Sequence, residues 1–248
     1  MTMARQVLAI GVAIMMVCRV ATAQEVAAGW EGDDRRGYIF ASPSLSVDLG
    51  KAQALVFRAA GSYLFYDFPV TGGRVDVTSP GVGGAIGYRV QGRYVNATLT
   101  SGFEMRETRR AEPDTTQRIV ERGPYAAAEV FISAGALTRV GAIANYGRAN
   151  RYTWARSSVT RQLTNRRFEK PRAIGVGLDV TVAGNRDLQT QQVGGVFAWD
   201  WFRAKASLQL RAGYSRSLSS GVVVDRHPYV GAGFYHRFEQ RRATAGSS

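Results

Sequence analysis

Residues 202–214 alternate side chain by side chain. Phe202, Ala204, Ala206, Leu208, Leu210, Ala212 and Tyr214 fall on one face, and Arg203, Lys205, Ser207, Gln209, Arg211 and Gly213 on the other. Successive residues of a β-strand point to opposite sides, so this segment predicts a strand with an apolar and a charged face. In a closed barrel it sets Leu208 and Leu210 against lipid while Lys205 and Arg211 line a wet interior. Period-two stretches recur along the chain, and helical spacing of apolar residues nowhere persists beyond about two turns. The expected fold class is all-β, a closed antiparallel transmembrane β-barrel.

The same alternation predicts strands at 37–49, 52–66, 82–90, 94–105, 125–134, 138–146, 152–163, 172–182, 192–199, 202–216 and 228–238. The 172–182 segment is especially clean, with Ile174, Val176, Leu178, Val180 and Val182 opposed to Gly175, Gly177, Asp179 and Thr181. Within 52–66, Leu55, Phe57, Ala59, Tyr63 and Phe65 share a face. Gly50-Lys51 and Gln91-Gly92 read as tight turns, residues 69–80 as a Pro- and Gly-bounded loop, and 106–123 as a long polar loop. These segments make 11 strands. Bacterial single-chain barrels have even numbers, so the expected count is about 12, with about 10 as the alternative. Aromatic residues gather near strand ends (Tyr63, Phe65, Tyr66 and Phe68; Tyr146, Tyr152 and Trp154; Trp199, Trp201 and Phe202), where amphipathic rings suit a membrane interface.

The N-terminus points to export. Arg5 precedes an apolar run over 7–18, followed by the small-residue site Ala21-Thr22-Ala23. The run falls short of the roughly 20 residues of a membrane-spanning helix and reads as a cleaved secretory leader. The expected organisation is a leader at 1–23, a barrel over 24–238 and a polar basic tail over 239–248, with the protein in the outer membrane. Residues 228–238 close on Phe238, as the last strand of such barrels usually does. The single cysteine, Cys18, leaves with the leader, so neither disulfides nor thiolate metal sites are expected.

The chain carries 32 Lys and Arg against 19 acids; loss of Arg5 and Arg19 leaves 30 against 19, a net charge of +11. A nucleic-acid role is excluded by the export leader. Instead, Arg106, Arg109, Arg110, Arg166 and Arg167 are expected in surface loops that meet lipopolysaccharide phosphates, where planar bidentate donors are effective. Arg58, Arg89, Arg139, Lys205, Arg211 and Arg237 occupy polar faces and are expected to make a positive lumen facing anions or hydroxyl-rich glycans.

Catalytic signatures are sparse. His227 and His236 are the only histidines; His236 falls on the lipid face of the last strand, and His227 in the turn before it, beside Asp225 and Arg226. Ser219 and Ser220 lie close to His227 and keep a lipid-modifying barrel enzyme open as an alternative. The glycines from Gly81 to Gly87 lack the Lys-Ser or Lys-Thr of a phosphate-binding loop. The expectation is a non-enzymatic chain without catalytic, cofactor or metal residues.

Several segments together resemble the cellulose biosynthesis protein BcsS family of outer-membrane barrels. They are Ala128-Glu129-Val130-Phe131, Asn145-Tyr146, Arg151-Tyr152-Thr153-Trp154-Ala155-Arg156, Gly177-Leu178-Asp179, Gly184-Asn185 and Gly194-Gly195-Val196-Phe197. The resemblance implies a role around bacterial cellulose synthesis or secretion, with outer-membrane lipid, lipopolysaccharide, cellulose or another polysaccharide, and secretion machinery as partners. A barrel of about 10 to 12 strands is mostly filled by side chains. This favours an accessory over a main conduit, with a narrow solute channel as a further alternative.

Overall fold

The computed structural model describes residues 23–33, 35–70, 73–111, 115–163, 172–185, 188–219 and 222–239. They form a twelve-stranded antiparallel barrel: Ala23–Gly32 (β1), Gly37–Gly50 (β2), Gln53–Val70 (β3), Gly73–Gln91 (β4), Val95–Ala111 (β5), Thr116–Ala134 (β6), Thr138–Gly147 (β7), Tyr152–Gln162 (β8), Arg172–Gly184 (β9), Gln189–Trp201 (β10), Ala206–Ser219 (β11) and Val222–Glu239 (β12). Each strand pairs with its sequence neighbours, and β1 pairs with β12 from Ala23↔Glu239 to Gly32↔Val230 to close the ring. Closure leaves no edge of unpaired amides to face hydrocarbon, where each would cost several kcal/mol.

The expected faces follow from the period of two. Leu99, Phe103, Leu178 and Tyr214 point outward and are 64–71% exposed, the exposure of a surface meant for lipid. Their strand neighbours Thr98, Thr100, Asp179 and Ser215 point inward and are buried. The outward rows of β9 and β3 are those expected, and His236 lies outward between Phe234 and Phe238.

Four expectations change. The twelfth strand is β1, whose alanines occupy both faces (Ala27 inward, Ala28 outward) and blur the alternation. The loop expected at 69–80 is mostly strand, because β3 and β4 pair as far as Val70↔Gly73. The loop expected at 106–123 is likewise the far end of a hairpin in which β5 and β6 pair as far as Ala111↔Thr116. Residues 202–205 form a turn rather than strand, with Lys205 at φ 49°.

The barrel has two unlike ends. Turns at 51–52, 92–94, 135–137 and 202–205 lie at the end where β1 begins and β12 finishes. The opposite end carries the prolonged hairpins β3–β4 and β5–β6, a 3-10 turn at Ala149–Arg151, and the 33–36 and 185–188 connections. Short turns face the periplasm in bacterial barrels, so the prolonged hairpins define the outer end.

Glycines on inward positions make room for large side chains. A Cβ on Gly213 would sit 2.2 Å from the Val193 carbonyl oxygen and 2.9 Å from the Tyr229 ring, whereas one on outward Gly195 would meet nothing closer than 3.9 Å. Gly213→Val is therefore expected to lower the unfolding free energy by about 1–3 kcal/mol through overpacking. Gly195→Val should leave it nearly unchanged, as measured by urea unfolding in detergent micelles.

Candidate functional site

The barrel interior is crossed by arginines that meet acids on distant strands. Near the short-turn end, Arg89 of β4 donates from both terminal nitrogens to Glu25 of β1, at 2.7 and 2.8 Å, and from Nε to Thr98 at 3.1 Å. Arg237 of β12 approaches the same carboxylate at 3.9 Å. Arg58 of β3 pairs with Glu129 of β6, and Arg139 of β7 with Asp200 of β10 at 2.8 Å. Gln162 also donates to Asp200, at 3.4 Å.

A second layer occupies the middle. Asp179 of β9 is 1% exposed and faces Arg156 of β8 at 3.4 Å and Arg211 of β11 at 3.8 Å. Tyr229 of β12 donates to its other oxygen at 3.3 Å. Arg156 also reaches across the barrel to Glu31 of β1, and its guanidinium lies 4.8 Å from the centre of the Trp154 ring. Taking such charges out of water is costly, and each is tolerated because a counter-charge arrives from another strand.

Above this layer sits an apolar plug of Leu64, Tyr66, Val75, Val77, Tyr152, Trp154 and Leu188, with Tyr38 stacked on Tyr152 at 6.1 Å. Tyr66, Phe68, Tyr152 and Trp154 thus leave the interfacial belt expected of them and pack inside. At the outer mouth, a cavity of about 70 Å³ runs between this plug and a polar cluster of Asp33, Arg36, Gln192, Ser215 and His227. Asp33 accepts the Arg35 and Arg36 amides on one oxygen at 2.7 and 2.9 Å, and pairs with His227 Nε2 on the other. Arg36 donates to Ser217, and to Asp225 at 3.0 Å.

Of the residues expected to form a positive lumen, Arg58, Arg89, Arg139, Arg211 and Arg237 lie on inward positions, near acids the sequence did not link to them. Lys205 does not join them, because its left-handed turn conformation leaves it exposed outside the ladder. Glu25, the partner of Arg89 and Arg237, comes from β1, absent from the expected strands, and no sequence signal tied Arg58 to Glu129 or Arg139 to Asp200, each pair more than 60 residues apart along the chain.

The arginines expected to meet lipopolysaccharide scatter. Arg106 is buried inside, donating to the Ser79 carbonyl at 2.9 Å and to Ser62 at 3.0 Å. Arg110 takes an inward, half-buried position. Arg109 is outward and exposed, and shares Glu107 with Arg118; hydrogen bonds from Arg118 and Arg109 hold the Glu107 carboxyl below the usual carboxylate range. Arg166 and Arg167 lie outside the described residues, between Gln162 and Arg172, both of which stand at the short-turn end. His227 is not in a turn but on β12, facing inward. Ser219 ends β11, and Ser220 lies outside the described residues.

A sequence profile of the cellulose biosynthesis protein BcsS family matches residues 28–243. The chain belongs to the BcsS family. No individually curated protein matches it in sequence. Among solved structures, the BcsS chain is similar to an outer membrane channel from Pseudomonas putida F1, at 10% identity and a TM-score of 0.50, covering 90% of this chain and 97% of that one. It is also similar to LpxR from Salmonella typhimurium, at 12% identity and TM-score 0.48, covering 86% and 99%. The translocator domain of the autotransporter NalP from Neisseria meningitidis gives 10% identity and TM-score 0.45, covering 95% and 94%. The channel likeness supports the outer-membrane barrel fold.

Because Glu25 is 5% exposed, removing Arg89 leaves a buried charge faced only by Arg237 at 3.9 Å. Arg89→Met is expected to destabilise the barrel by about 3–5 kcal/mol, and adding Glu25→Gln should recover most of that loss. Urea unfolding of both variants checks this, and equal losses in the single and double variants would show that the stranded Glu25 charge is not the cause.

Proposed function

We propose that this BcsS barrel is an accessory of cellulose synthesis or secretion at the outer membrane, acting as a surface scaffold rather than as the passage for the polymer. The observation that carries the reading is the transverse filling of the bore. Arg156 to Glu31, Arg89 to Glu25 and Arg58 to Glu129 span between non-adjacent strands, with the apolar plug above them. A glucan chain threading this interior would have to break several buried ion pairs at once, each costly to leave half-made. The rims remain for recognition. Exposed Arg109 and Arg118 on the outer hairpin offer planar donors to phosphate or hydroxyl groups of the cell surface.

Deleting the gene in a cellulose-producing host should lower cell-surface cellulose, measured by dye binding and cellulase-released glucose. Glucan polymerisation by isolated inner membranes should not change. Unaltered surface cellulose in the deletion strain would overturn the proposal.

A further inference from the structure

We propose that the outer mouth contains a Ser–His–Asp hydrolytic site, Ser215–His227–Asp33, that cleaves short-chain O-acyl esters. This goes beyond the accessory role and replaces the expectation of a chain without catalytic residues.

Three observations converge. First, Ser215 of β11 stands directly opposite His227 of β12 in the ladder, both on the inward face. Directly opposed residues hold their Cβ atoms about 4.5–5.5 Å apart, within reach of a hydroxyl–imidazole contact. Second, two atoms such chemistry needs are left over: Ser215 Oγ and His227 Nδ1 are both buried without a hydrogen-bond partner. Ser215 itself is 3% exposed, and a buried hydroxyl without a partner is costly unless something else uses it. Third, the base already has its orienting group. Asp33 is held by two backbone amides and takes His227 Nε2–H, which leaves the lone pair of the neutral ring on Nδ1. Neighbouring Ser217 is excluded as nucleophile because Arg36 occupies its oxygen.

The other parts lie in or beside the same cavity. Arg36 is fixed by Ser217 and Asp225 through its terminal nitrogens, while its Nε–H is buried without a partner. That donor is free for the oxygen that becomes negative during acyl transfer. Asp225 stands 3.9 Å from His227 Nδ1 and adds negative charge beside the imidazolium that forms. Tyr38, Leu64, Tyr66 and Tyr152 give one wall an apolar surface. At about 70 Å³, the cavity suits an acetyl-sized group rather than a fatty acyl chain.

The chemistry balances with water alone. Ser215 Oγ attacks the ester carbonyl carbon as its proton passes to His227 Nδ1. The tetrahedral adduct collapses, breaking the bond to the alcohol oxygen, which takes that proton and leaves. Water then attacks the acyl-serine, giving one proton to Nδ1; carboxylic acid departs and the proton returns to Ser215. Ser215 and His227 are the catalytic residues, and Asp33 is a positioning residue.

The test uses the full-length barrel folded in detergent, with boiling-dependent gel mobility as the check of folding. The wild type should hydrolyse p-nitrophenyl acetate above a detergent blank. Ser215→Ala and His227→Gln should each lower kcat about 100-fold or more while retaining heat-modifiable mobility. Asp33→Asn should lower kcat with KM little changed. A fluorophosphonate probe should attach to Ser215, identified by peptide mass, in wild type but not in His227→Gln. Acetylated cello-oligosaccharides should serve as substrates and p-nitrophenyl palmitate should not; the reverse preference would overturn the short-acyl assignment. A folded preparation with neither acetate hydrolysis nor probe attachment would overturn the site itself.

Discussion

The ladder between β1 and β12 is the contact on which the rest of this barrel depends. It closes the ring, and it is also the source of counter-charge. β1 carries Glu25 and Glu31 into the bore, and Asp33 follows directly after it. Glu25 meets Arg89 and Arg237, Glu31 meets Arg156, and Asp33 meets His227. Without β1, two sheet edges would face hydrocarbon, and three inward cations and an imidazole would lose an acid. Closure of the backbone and neutralisation of the interior are therefore one event.

A ring of this size has an interior too wide for aliphatic side chains to fill from the wall and too narrow for a wide aqueous channel. Arginine reaches far from its strand, and glycines opposite it give space, as where Gly233 lies beneath the Arg211 guanidinium. Its charge then demands an acid across the bore, and the distances of 2.7–3.9 Å among the arginine pairs at Glu25, Asp179 and Asp200 meet that demand. Near the outer end the filling changes from ion pairs to rings and aliphatics, so the mouth cavity has one polar wall and one apolar wall. This contrast lets a small pocket orient a molecule with unlike ends.

Much of the fold was legible because lipid enforces alternation wherever a strand crosses it. The outward rows of β3, β9 and β11 from Leu208 onward could be read residue by residue for that reason. Beyond the hydrocarbon the enforcement ends. The upper parts of β4 through Asp76 and Thr78, and of β5 and β6 through Glu107 and Arg118, read as loops although their ladders continue. β1 escaped because small residues sit on both its faces. The inward placement of Arg58, Arg89 and Arg211 was visible in the alternation, but their partners were not, since a pair such as Arg58 and Glu129 depends on the three-dimensional path of the strands. Register likewise places Ser215 against His227, and spacing along the chain favoured Ser219 and Ser220 instead.

The central claim is that the bore is closed by paired charges and a plug, and single-channel recording of the wild-type barrel in planar bilayers tests it most directly. Insertion verified by heat-modifiable mobility, with no sustained conductance steps in symmetric salt, is the predicted result. Stable, long-lived open steps from the folded wild-type protein would contradict the account, because they require a continuous water-filled path where Arg156, Asp179, Arg211 and the apolar plug now stand.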